Sequence, residues 1–155
     1  MQFLFGVNMI HFVRTTAADE STLRAWIDAD PWHSYKDAVE WWINVGGYLT
    51  FKLVDKEGDV LFVRLDREGP DGTMVRLHTQ FAPKDAVSEK RVAIAINFGI
   101  TAFIPHGVAS GIKGIITESV SPKLIAFLES RMGFKHVEGN DYVLHFDNSK
   151  KSEGQ

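Results

Sequence analysis

Thr73–Phe134, TMVRLHTQFAPKDAVSEKRVAIAINFGITAFIPHGVASGIKGIITESVSPKLIAFLESRMGF, is the stretch whose reading decides the fold. Thr73–Ala82 has the composition of a strand. Ser88–Ile104 is an apolar helix, Gly111–Glu118 a second strand, and Ser121–Met132 a second helix closed by Gly133 and Phe134. A strand, a crossover helix, a strand and another helix make a unit whose two strands run parallel in one sheet. The turn between the first strand and its helix, Pro83–Arg91, contains no glycine and holds Lys84, Lys90 and Arg91.

Upstream, Ile10–Arg14 reads as a strand, and Thr16 or Asp19 caps a helix running through Asp28 with Leu23, Trp26 and Ile27 on one face. Pro31 ends it. A second helix is expected from Ser34, because Tyr35, Ala38, Val39 and Trp42 recur at the spacing of a buried face and Gly46-Gly47 stops it. Tyr48–Val54 and Val60–Leu65 alternate apolar with polar about Asp55-Lys56-Glu57-Gly58-Asp59, the pattern of a hairpin. Phe134–Val137 and Tyr142–Phe146 form a closing hairpin about Glu138–Asp141. The expected order is β-α-α-β-β-β-α-β-α-β-β. It describes an α+β fold: one mixed sheet, largely antiparallel with a central parallel pair, and helices on both faces.

A chain of 155 residues with 45% hydrophobic composition is expected to form one domain, here residues 1–146, with 1–8 a possible N-terminal extension before a start at Met9. Asp147–Gln155 is polar and reads as a tail. Seventeen basic residues against twenty acidic ones leave a net charge of −3, which supplies no global field for nucleic acid or an anionic membrane. No cysteine is present, so disulfides and thiolate metal sites are excluded, and the six histidines show no paired metal-ligand spacing. MQFLFGVNMIHFV lacks the basic start and cleavage site of a signal peptide, and no run is expected to reach the ~18 apolar residues of a membrane span. The expectation is a soluble, cytoplasmic protein.

Over residues 9–146 the chain resembles the Gcn5-related N-acetyltransferases, the GNAT family. Ile10–Thr16 with Asp19 is similar to the family's opening strand and helix, and Phe81-Ala82-Pro83 to its step from strand into cofactor-binding helix. Glu118-Ser119-Val120-Ser121, with a helix ending Arg131-Met132-Gly133-Phe134-Lys135, is similar to its closing helix. The resemblance implies acyl transfer from acetyl-CoA to an amine on a small molecule or a protein. It places the cofactor at Gln80, Phe81, Ala82, Lys84, Val87, Ser88, Lys90 and Arg91. The chain departs from the family at two points. The family's Arg/Gln-x-x-Gly-x-Gly/Ala loop, whose backbone N–H groups close around a pyrophosphate, is missing. Pro122 and Leu128 or Glu129 stand where an asparagine and an acid tyrosine are common.

Each candidate site carries two readings. Lys84, Lys90 and Arg91 either bind an anion at the helix start or solvate it while pairing with Asp85 and Glu89. Met74, Arg76, His78 and Gln80 share one face of their strand, where His78 is a candidate general base or a member of a hydrogen-bond network. Glu118 is the other candidate base, or a solvated residue beside serines that cap the next helix. Trp32, His33, Tyr35 and Trp41 line an aromatic acceptor pocket, or seal the core or a homodimer contact together with Met1–Phe5. A second class of function follows from the departures: a GNAT-like fold without cofactor, serving as a binding or structural protein such as those of bacteriophages.

Overall fold

A computed structural model describes residues 9–31, 39–43, 49–119 and 121–146. Thr73–Phe134 folds as its pattern predicts, with shifted boundaries. The strands are β1 (His11–Arg14), β2 (Leu49–Asp55), β3 (Gly58–Glu68), β4 (Met74–Phe81), β5 (Gly114–Glu118), β6 (Lys135–Glu138) and β7 (Asp141–His145). The helices are α1 (Glu20–Ala29), α2 (Glu89–Ala109) and α3 (Pro122–Phe127). The strands form one mixed sheet in the order β1-β2-β3-β4-β5-β7-β6. β4 and β5 are its parallel pair, Met74–Leu77 matching Gly114–Thr117, while β1-β2, β2-β3, β5-β7 and β6-β7 are antiparallel.

By packing, the chain divides into two compact units, Met1–Leu65 with His78–Gly99, and Asp66–Leu77 with Ile100–Gln155. In the first, Thr16 and Asp19 make a capping box, the Thr16 hydroxyl accepting from the Ala18 N–H at 3.2 Å and Asp19 Oδ2 from the Thr16 N–H at 3.0 Å. The short 3-10 turn they start runs into α1. One face of α1 carries Leu23, Trp26 and Ile27 into a core with Val39, Trp42 and Phe62. The ring of Trp26 meets Phe62 edge-on at 5.1 Å. Burying these side chains contributes roughly 1.5–3 kcal/mol each. Thr15 Oγ1 donates to Trp42 O at 2.7 Å and lies 2.9 Å from Thr50 Oγ1, so the buried hydroxyl is satisfied.

In the second unit, Arg76 on β4 forms fork-shaped pairs with Glu68 and with Asp141. Ser121 caps α3 through the Leu124 N–H at 3.3 Å, and Pro122 occupies the first turn, where its missing N–H costs nothing. The helix then widens into a π turn, Leu128–Met132, and ends at Gly133 in the left-handed region (φ 84°), with the Phe134 N–H closing on Leu128 O at 3.0 Å.

Three expectations need correction. Val39–Trp42 is a 3-10 turn rather than part of a regular α-helix; Val39 and Trp42 are nevertheless buried, as their spacing predicts. The rest of that predicted helix lies outside the described residues, as do Met1–Phe5 and the 147–155 tail. α2 passes Ile104 and runs through Pro105 to Ala109, since earlier turns hold the segment despite one missing donor. Finally, the helix Glu89–Ala109 is long and apolar enough by length and composition to cross a membrane, which the expectation of no such run did not foresee. Asn97, Thr101 and His106 interrupt an uncharged stretch from Val92 to Ala109. Core helices that are mostly buried have the same composition; α2 buries Ala95, Ile96 and Ile100, and 22% of its apolar stretch is buried in all.

Candidate functional site

The polar row of β4 divides between the units: His78, half-buried, and Gln80, buried, belong to the first, and Met74 and Arg76 to the second. The last four residues of β4, His78–Phe81, extend past the registered pairing at Leu77. Gln80 is only 3% exposed; its Nε2 donates to Asp30 Oδ2 at 3.0 Å and to Phe81 O at 3.1 Å. An amide in that position joins the end of β4 to the residue that terminates α1. His78 is half-buried, and its ring meets Trp41 nearly perpendicular at 4.7 Å. Trp41 also packs edge-on against Trp42 at 4.9 Å, and the Arg64 guanidinium lies over its ring at 4.1 Å. Arg64, 7% exposed on β3, donates from Nη1 to Trp41 O at 2.9 Å. The indole is therefore gripped by its face and by its backbone carbonyl, and it presents a fixed wall to the imidazole.

Beyond Phe81 the chain bends through Ala82, which packs on the core of the unit, and Pro83, whose carbonyl accepts from the Ala86 N–H at 2.9 Å. Val87 is buried and Ala86 exposed. Ser88 caps α2: its hydroxyl accepts from the Arg91 N–H at 3.2 Å, and its carbonyl from the Val92 N–H at 3.1 Å. The positive end of the helix dipole opens at this point.

Of the three cations gathered there, Lys84 and Lys90 are exposed, whereas Arg91 is committed to Asp55. Arg91 Nε and Nη2 meet the two carboxylate oxygens at 2.8 and 2.7 Å, and the Glu57 N–H adds a further bond to Asp55 Oδ1 at 2.9 Å. The guanidinium holds the Asp55 carboxyl below its usual range, and Asp55 raises Arg91 in turn.

Of the other candidates, Glu118 is exposed at the end of β5, in register with Asp141 of β7. Ser119 beside it is buried, donating its N–H to Asn140 O at 3.0 Å and accepting the Ser121 N–H at 3.2 Å, so these serines organise the start of α3. Trp32, His33 and Tyr35 lie outside the described residues. Among the described residues no group of three or more His, Asp or Glu could hold a metal ion. The sequence reading missed Asp30, Asp55 and Arg64, the partners of Gln80, Arg91 and Trp41. Only Asp55 carried a signal, as the first residue of a charged turn, and that signal pointed to the turn alone.

No protein-family model matches the chain, and no curated protein matches it. Solved structures do. The aminoglycoside acetyltransferase AAC(6')-Ib in complex with coenzyme A superposes with a TM-score of 0.69 at 11% identity, covering 94% of this chain and 99% of that one. A domain from Methanocaldococcus jannaschii gives 0.66 at 15% identity over 90% and 100% of the two chains. The GNAT domain of S. lividans PAT gives 0.62 at 18% identity over 92% and 91%. The chain has the GNAT fold along nearly its whole length, with the mixed sheet that its pattern predicts.

Proposed function

We propose that this chain is an N-acyltransferase that takes an acetyl group from acetyl-CoA and delivers it to an amine of a small molecule or a protein. One observation carries the reading: the fold likeness to an acetyltransferase solved with coenzyme A extends over 94% of the chain. That neighbour has also been solved with kanamycin, an aminoglycoside, which supports a small polyamine acceptor. The residues at the α2 start fit an anionic cofactor in part. Ser88 and the first-turn N–H groups supply donors, and Lys84 and Lys90 supply charge, while the bend lacks glycine and Arg91 is engaged by Asp55. Phe81, Ala82 and Val87 would flank the cofactor beside this turn, with Gln80 bracing the strand behind them.

Acyl-CoA, when bound, supplies a thioester carbonyl. The protein must strip a proton from an ammonium acceptor and exclude water. His78 is the residue proposed to take that proton, because its ring is fixed by Trp41 at the end of the strand that leads to the α2 turn. Glu118 is the second candidate base. Trp32, His33, Tyr35 and Trp41 form the proposed acceptor wall, and a domain of residues 1–146 acts in the cytoplasm, alone or as a homodimer.

A second reading is favoured by the glycine-free bend and by the Asp55–Arg91 pair: a GNAT fold that binds a partner without cofactor, of the kind that a bacteriophage protein would serve. Isothermal titration with acetyl-CoA separates the two. Micromolar binding that weakens with salt supports the enzyme, and His78→Ala should then lower turnover by 10²-fold or more at about unchanged acetyl-CoA affinity. No heat at millimolar ligand, with no thermal shift, rejects the enzyme.

A further inference from the structure

Asp55 is an internal anion placed on the first turn of α2. Its carboxylate is 5% exposed and meets Arg91 fork to fork, the geometry in which a guanidinium also receives two oxygens of a phosphate. The β2–β3 hairpin sets its position. The register shifts between Leu53 and Val54, Asp55 pairs with Gly58, and the Glu57 N–H holds one carboxylate oxygen at 2.9 Å. Gly58 O lies 3.5 Å from Arg91 Nη2, and Glu57 Oε1 3.9 Å from Nη1, so the hairpin surrounds the guanidinium. Arg91 is anchored from its other end by its own N–H on Ser88 Oγ.

From this geometry we infer that Asp55 determines the anion affinity of the α2 turn, because a diphosphate and the Asp55 carboxylate compete for the same guanidinium. The biological meaning rests on the acyl-CoA reading; the competition itself does not. With Asp55 on Arg91, Lys84 and Lys90 are the turn's exposed cations, and Lys ammonium groups act as point charges without the planar fork. Releasing Arg91 adds two directed donors to the same turn. A glycine-free bend makes those donors count for more, because fewer backbone N–H groups can turn toward the anion.

The test is titration of wild type and Asp55→Asn with inorganic pyrophosphate and, separately, with coenzyme A. Asp55→Asn is expected to tighten pyrophosphate binding by about tenfold, the worth of one freed charge-assisted pair, and adding Arg91→Gln should remove the gain. Unchanged or weaker pyrophosphate binding by Asp55→Asn overturns the inference. If wild type binds coenzyme A and Asp55→Asn binds it no better, the acyl-CoA reading stands and the inference falls. If Asp55→Asn gains pyrophosphate affinity while neither protein binds coenzyme A, the inference stands and the acyl-CoA reading falls. Should Asp55→Asn not fold, nitrogen-15 spectra of wild type answer the question. The Arg91 Nε–H resonance must shift as pyrophosphate saturates, and a resonance that stays in place while the ligand binds overturns the competition.

Discussion

Replacing Arg76 by methionine removes four hydrogen bonds at the centre of the sheet while keeping a similar apolar stem. Arg76 Nε and Nη2 reach Glu68 at 2.7 and 2.9 Å, and Nη1 and Nη2 reach Asp141 at 3.0 and 3.2 Å. Exposed pairs contribute about 0–1 kcal/mol, and removing one member of a buried pair costs about 3–5 kcal/mol. The Arg76 side chain is 21% exposed, with Glu68 at 37% and Asp141 at 32%, so this cluster lies between the two limits. The expected loss for Arg76→Met is about 2 kcal/mol, most of it from leaving two carboxylates facing one another without their cation.

Urea unfolding at pH 7 measures it. The Arg76 guanidinium holds the Asp141 carboxyl below its ordinary value of 3.8. A depressed folded value means that this stabilisation is present above pH 3.8 and is lost as pH falls through the folded value. The gap between wild type and Arg76→Met should therefore narrow in acid. A loss under about 0.5 kcal/mol at pH 7, or a gap that widens in acid, refutes the ion cluster as the reason for an arginine in a central strand.

Lys52→Met should destabilise by about 2 kcal/mol, since Lys52 Nζ lies 2.7 Å from Asp19 and 2.9 Å from Asp59 and is the cation between them. Burial pulls the Lys52 pKa down, but the bonds to Asp19 and Asp59 outweigh it and leave the ammonium raised above 10.5. Its stabilisation is complete below pH 10.5 and disappears as pH rises through the folded value, so thermal melts of wild type and variant should converge in strong alkali. Gly114→Ala should cost about 2–3 kcal/mol by calorimetry, because the new Cβ would stand 2.6 Å from the Leu144 carbonyl oxygen, a backbone atom of the paired strand β7. An unchanged melting temperature would show that β5 and β7 part more easily than their register implies.

The order of elements was legible because period and punctuation agree along the chain. Leu23, Trp26 and Ile27 predict the buried face of α1, and Thr16 with Asp19 the capping box of the 3-10 turn that leads into it. Gly133 predicts the end of the closing helix, since few other residues adopt its positive φ without strain. Pro105 is a place where the local rule failed: α2 continues through the proline to Ala109, the turns before it, which bury Ile96 and Ile100, tolerating one lost donor. The expected helix around Trp41 and Trp42 has the right burial and the wrong winding, because a core specifies which side chains enter it more strictly than the pitch that brings them there.

The candidate site divides along the same line. Local sequence placed His78 on a polar face, a serine at the start of α2 and cations around it, since alternation and capping depend on neighbours two to four residues away. It could not show that Arg91 belongs to Asp55, Gln80 to Asp30, or Trp41 to Arg64, pairs separated by 36, 50 and 23 residues. The sequence by itself determined the strands, the caps and the supply of charge, all short-range choices of a chain that buries one face of each element. Only the tertiary structure decided which charges are already spent on each other, because an ion pair is set by distance in space, and folding alone brings a hairpin turn against the first turn of a helix.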